Sequence, residues 1–117
     1  MNTLTLINLG HIVLILPFLL WVGIARGNVP NEVFQSLIYI GAFVMIYQGY
    51  KAYSGWIQNS QYLWINLLHV VYIGPLLVYI GIYKKETPKN IYDMLLLLTF
   101  GGFGYHLYGL ASRLDFL

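Results

Sequence analysis

The chain has 117 residues, of which 59% are hydrophobic, 17% aromatic and only 9% charged, whereas a soluble domain needs roughly a quarter of its residues charged to coat its surface. Lipid is therefore the expected solvent for much of that surface, and a net charge of +2 on scattered Lys and Arg offers no footprint for nucleic acid. With no cysteine, disulfides, iron–sulfur clusters and thiolate metal sites are excluded.

The first predicted element runs from Thr3 to Ala25. It is long enough to span a bilayer and "MNTLTLINLG" carries no positive side chain, so it reads as a membrane helix rather than a cleaved leader. The loop "RGNVPNE" leads to a second apolar run at Val33–Tyr53, and "SGWIQNSQ" leads to a third at Tyr62–Tyr83. "KKETPKN" precedes the fourth, at Ile91–Ala111. Each loop is short, polar and rich in turn formers. Unbroken runs such as "DMLLLLTF" lack the alternation that a membrane β-barrel requires. The fold expected is an all-α integral membrane protein, a single four-helix transmembrane domain over residues 1–117. Asn31 and Asn90 are expected to cap the second and fourth helices. Trp21, Trp56 and Trp64 stand where interfacial anchors belong.

Lys and Arg set the expected orientation. Arg26, Lys84, Lys85 and Lys89 lie on one side, against Lys51 and Arg113 on the other. Loops 26–32 and 84–90 are thus expected in the cytoplasm, with both termini outside.

An internal repeat is the most specific signal in the chain. Shifted by 58 residues, the sequence matches itself without a gap at 15 of the 48 positions from Ile7 to Ser54. Chance matches at Leu and Ile come with any apolar chain. Asn8, His11, Pro17, Gly23 and Pro30 recurring in one register as Asn66, His69, Pro75, Gly81 and Pro88 do not. The reading is a tandem duplication, with repeat 1 at about 7–54 and repeat 2 at about 65–112. Each repeat holds two helices, so both copies insert the same way up. Two parallel hairpins related by a pseudo-two-fold axis along the membrane normal are expected.

The polar residues fall at matching depths. At about 1.5 Å of rise per residue, His11 and His69 lie roughly 12 Å from their helix starts, and His106 roughly 8 Å from its helix end. All three are in the half of the bilayer nearer the termini. The repeat partner of His106 is Gln48, giving a layer of His11, Gln48, His69 and His106, one residue from each helix. Asn8 and Asn66 precede their histidines by three residues and share a helix face with them. Tyr47, Tyr50, Tyr105 and Tyr108 bring hydroxyls close to the same depth. Polar faces in lipid point to a bundle interior or a water-filled cavity. Pro17 and Pro75 are expected to kink their helices, and Gly23, Gly81 and the "GGFG" stretch at 101–104 to admit close neighbours. Asp93 suits a helix N-terminus and is given no chemistry.

Three function classes remain open. The leading one is a small channel or carrier for protons, ions or small solutes, with the layer as its path. Another is a haem- or metal-binding redox subunit, since imidazoles ligate zinc, copper, iron or haem. The last is a structural or assembly subunit of a larger membrane complex or a viral membrane, as a homo-oligomer or with other chains. No HExxH, phosphate loop, channel filter or GxSxG is present, which argues against hydrolase chemistry.

Overall fold

The computed structural model describes residues 3 to 113, the last without its side chain, so the Arg113 charge counted for orientation lies outside the description. The described residues form helices and short connections, without strands. Four helices are long and apolar enough to cross a membrane: α1 (Thr3–Ala25), α2 (Asn31–Ile57), α3 (Leu63–Glu86) and α4 (Lys89–Arg113). Large apolar side chains such as Val13, Leu14, Phe43, Ile46, Val71 and Leu97 stand outward, an arrangement stable only where the solvent is itself apolar. Trp21, Trp56 and Trp64 are also exposed.

The prolines act on the helix in a specific way. Pro17 has no N–H to give, and its ring crowds the carbonyl four residues back. The chain answers by widening into a π turn at His11–Ile15, closed by the Leu16 N–H on the His11 carbonyl. Pro75 does the same at His69–Ile73, closed by the Gly74 N–H on the His69 carbonyl. A π turn is one recognised response of a helix to a disrupted hydrogen-bond ladder.

Helix ends show equally local causes. α2 closes in a Schellman motif: Asn59 takes φ 55°, Ser60 N–H reaches the Gly55 carbonyl at 2.8 Å and Asn59 N–H the Trp56 carbonyl at 3.4 Å. The turns after α1 and within α3 are less usual, with Arg26 at φ 56° and Lys84 at φ 53°. Neither is a glycine, so both hold strain that their surroundings must overcome. The expected asparagine cap on α2 is corrected. Asn31 is the first helical residue, its cap position is Pro30, and no side chain caps the turn. Instead the Pro30 carbonyl accepts from Val33 and the Pro88 carbonyl from Ile91, each at 3.0 Å.

The chain divides into two compact units, one of residues 1–26 and 92–117 and one of residues 27–91. The first pairs α1 with most of α4. Its buried residues are Thr5, Asn8, Leu16, Leu19, Val22 and Gly23 on α1, with Tyr92, Leu95 and Thr99 on α4. Gly23 faces Leu96, Gly102 faces Leu16 and Gly109 faces Asn8, so the two helices run antiparallel. Gly101 and Gly104 meet open space, leaving Gly102 as the glycine of that stretch used for packing.

The second unit pairs α2 with α3 around Phe34, Leu37, Gly41, Leu76, Leu77, Ile80 and Gly81. Here the backbones nearly touch. A Cβ at Gly41 would lie 2.7 Å from the Gly74 carbonyl oxygen, and one at Gly81 2.6 Å from that of Phe34. Without lipid-driven squeezing, such close approach maximises van der Waals contact between membrane helices. Gly41 against Val78 and Gly49 against Val70 set an antiparallel register.

Candidate functional site

In the first unit, α1 and α4 bring four of the expected residues together: Asn8, His11, Tyr105 and His106. The His11 and His106 rings stack with centroids 4.2 Å apart and planes 19° from parallel. His106 Nδ1 lies 2.8 Å from Asn8 Oδ1, and Asn8 is only 7% exposed. Tyr105 sets its ring edge-on to His106 at 5.1 Å, although the residue is 41% exposed. Gly109 makes the arrangement fit, since a Cβ there would lie 3.0 Å from the Asn8 amide nitrogen. Both imidazoles are half-buried.

Hydrogen bonding fixes the tautomers. A backbone carbonyl can only accept, so His11 Nδ1, 2.8 Å from the Ile7 oxygen, carries a proton and donates it. His11 Nε2 then holds the lone pair of the neutral ring. With Asn8 presenting Oδ1, His106 likewise donates through Nδ1. Stacked rings lie face to face and do not aim two Nε2 atoms at one iron from opposite sides, as a bis-histidine haem requires. Among the described residues, no group of three His, Asp or Glu side chains is placed to hold a metal ion.

The second unit carries part of the same arrangement. His69 Nδ1 donates to the Ile65 carbonyl at 2.7 Å, matching His11 and Ile7. The α2–α3 register puts Gln48 opposite Val71 and Tyr50 opposite His69, so Gln48 and His69 stand about 3 Å apart in depth, on either side of the Gly49–Val70 contact. Gln48 and Asn66 are half-buried, and Asn66 lies near Gly55. Tyr47 is 47% exposed and stacks on Phe43 at 5.9 Å. Pro17 and Pro75 stand just beyond their histidines, each entering the helix segment that follows the π turn.

No family model, curated protein or solved structure matches this chain. Its function must be argued from its own geometry.

Sequence spacing missed several partners. Asn8 bonds His106 on the other helix of its unit rather than pairing with His11 three residues on. The Ile7 and Ile65 carbonyls, which orient the rings, leave no mark in a sequence because every residue has one. Asp93 forms an ion pair with Arg26 at 2.8 Å. Both partners are at least one-third exposed, and an exposed pair of this kind contributes at most about 1 kcal/mol.

Proposed function

We propose that this chain is a small multi-pass membrane protein that moves protons across the bilayer, with the His11–His106 pair as its working centre. The carrying observation is the stacked, half-buried pair whose Nδ1 protons are committed to Ile7 and Asn8. Ionisable groups at membrane depth cost about 3 kcal/mol or more and are kept for a purpose by default. A backbone carbonyl cannot take up a proton, so relay straight through the His11 ring is blocked. His11 therefore gains a proton at Nε2 and returns it from Nε2, a stepping stone rather than a wire. Asn8 holds His106 in the same manner.

The proposal includes the origin and placement of the chain. The two repeats are copies of one ancestral hairpin, related by a pseudo-two-fold axis along the membrane normal. In support, at an offset of 58 residues both halves carry a π turn, a positive-φ basic residue and a histidine bonded to the carbonyl four residues back. Buried positions recur as well, with Val22, Phe34 and Leu37 answered by Ile80, Tyr92 and Leu95. Each compact unit then takes one helix from each copy. Loops 26–32 and 84–90 face the cytoplasm by the bias of Lys and Arg.

The test is flux in proteoliposomes loaded with a pH-sensitive dye. The wild type should collapse an imposed pH gradient faster than protein-free vesicles, and His11→Ala and His106→Ala should each return the rate to that baseline. Wild-type vesicles no leakier than empty ones, under pH and potential gradients of both signs, would refute transport and leave a structural role.

A further inference from the structure

One face of α2, continued by the residue just after it, carries Phe43, Tyr47, Lys51, Ser54 and Gln58 at spacings of four, four, three and four. All are exposed except Ser54, which is half-buried. The Phe43 and Tyr47 rings lie within 7° of parallel, and Gln58 Nε2 donates to Ser54 Oγ at 3.3 Å. The stripe therefore passes from an aromatic shelf, through an ammonium, to a polar end at the last turn of the helix. Lys51 stands about 9 Å before that end at Ile57, a depth from which a lysine extends its stem to the interface.

Nothing in the unit of α2 and α3 neutralises this charge. Among the described residues Lys51 has neither an ion pair nor a hydrogen bond. The acidic residues of the unit are Glu32 and Glu86. Glu32 lies about 28 Å back along α2. The α2–α3 register sets Lys51 level with Leu68, which leaves Glu86 about 27 Å away. Both separations far exceed the screening length of about 10 Å in ordinary salt. The negative end of the α2 dipole acts within the last turn, and Lys51 precedes that turn. The residue 58 after Lys51 is Gly109, so only one repeat carries the charge.

We propose that this face of α2 holds one anionic phospholipid, with Lys51 on the headgroup phosphate, an acyl chain over Phe43 and Tyr47, and Ser54 and Gln58 toward the headgroup hydroxyls. Charge decides the occupant. A second copy packed through the same face would bring another Lys51 against this one, and a zwitterionic lipid has no net charge to give, whereas an anionic lipid supplies the missing negative charge. The inference needs α2 to span a bilayer but does not depend on proton movement.

A single indole placed in the stripe tests it. Trp21, Trp56 and Trp64 are all exposed and are replaced by Phe, while Tyr47→Trp keeps an aromatic ring under the acyl chain and makes it the reporter. The full chain is placed in equal mixtures of phosphatidylglycerol and phosphatidylcholine, with bromine on the acyl chains of one lipid or the other, and quenching reads which lipid lies against the ring. Phosphatidylglycerol should bind about fivefold more strongly than phosphatidylcholine, the effect of one basic residue near the membrane surface. Lys51→Gln should bring that ratio to about one, and Lys51→Arg should keep it. A ratio near one with Lys51 present, or an unchanged ratio in the glutamine variant, would overturn the proposal. Weak quenching by both lipids would also overturn it, and would assign the face to a second copy of the chain.

Discussion

Replacing Asn8 and His106 by alanine, singly and together, isolates the contact on which the candidate site depends. The bond is 2.8 Å long and Asn8 is 7% exposed, so water competes weakly for either partner. Side-chain hydrogen bonds between membrane helices average about 0.6 kcal/mol and reach about 1.7; the short, buried geometry places this one toward the upper figure. Asn8→Ala should therefore cost about 1 kcal/mol. His106→Ala should cost about 2 kcal/mol, because it also removes the stack on His11, and ring pairs add roughly 0.5–1.5. The stack cancels in the double-mutant cycle, leaving a coupling of about 1 kcal/mol. Reversible unfolding in mixed micelles of sodium dodecyl sulfate and a mild detergent, followed by tryptophan fluorescence, measures all four stabilities. A coupling below about 0.3 kcal/mol, the ordinary error of additivity, would show that Asn8 and His106 do not form a working bond. The tautomer assignment and the proton pathway built on it would then fail together.

Other perturbations probe separate parts of the molecule. Thr87 is 7% exposed and its hydroxyl has no partner, while the equivalent position holds buried Val29; Thr87→Val should stabilise by about 1 kcal/mol in the same unfolding assay. Gly81→Ala drives a methyl against the Phe34 carbonyl and Ile38 nitrogen and should cost about 1–3 kcal/mol, since backbone cannot step aside. Gly101→Ala enters open space and should change stability by less than about 1 kcal/mol, in the favourable direction. Gln48→His gives the second unit the imidazole that the first already has, and dye-loaded vesicles should report a rise in proton flux of up to about twofold.

The four spans were legible because lipid demands some twenty apolar residues at a stretch, and the chain writes four of them between polar loops. His11 and His106 were expected at one depth from counts of helical rise, and they do meet. Which helices share a compact unit was not legible. Periodicity marks a face, but it does not name the element that covers it, and so the face shared by Asn8 and His11 gave no sign that His106 is the partner of Asn8. The ion pair of Arg26 with Asp93 was missed for the same reason. The turns at Arg26 and Lys84 escaped notice because positive φ is ordinarily announced by glycine, and neither position has one. Pro17 and Pro75 signalled a disturbed helix, but a kink and a widened turn satisfy the same missing hydrogen bond.

That widened turn has a geometric consequence for everything before it. Asn8 and Leu16 are eight residues apart, and around an uninterrupted helix of 3.6 residues per turn they would stand about 80° out of line. Absorbing one residue in the turn at His11–Ile15 brings the offset down to about 20°. The turn is thus a phase corrector, rotating the amide and imidazole end of α1 into line with its leucine end. Asn66 and Gly74 on α3 are related by the same correction. Deleting one residue from within either turn, with the proline that follows it replaced by alanine, should accordingly be absorbed as plain helix. The same deletion two turns further on would swing Asn8 or Asn66 out toward the lipid.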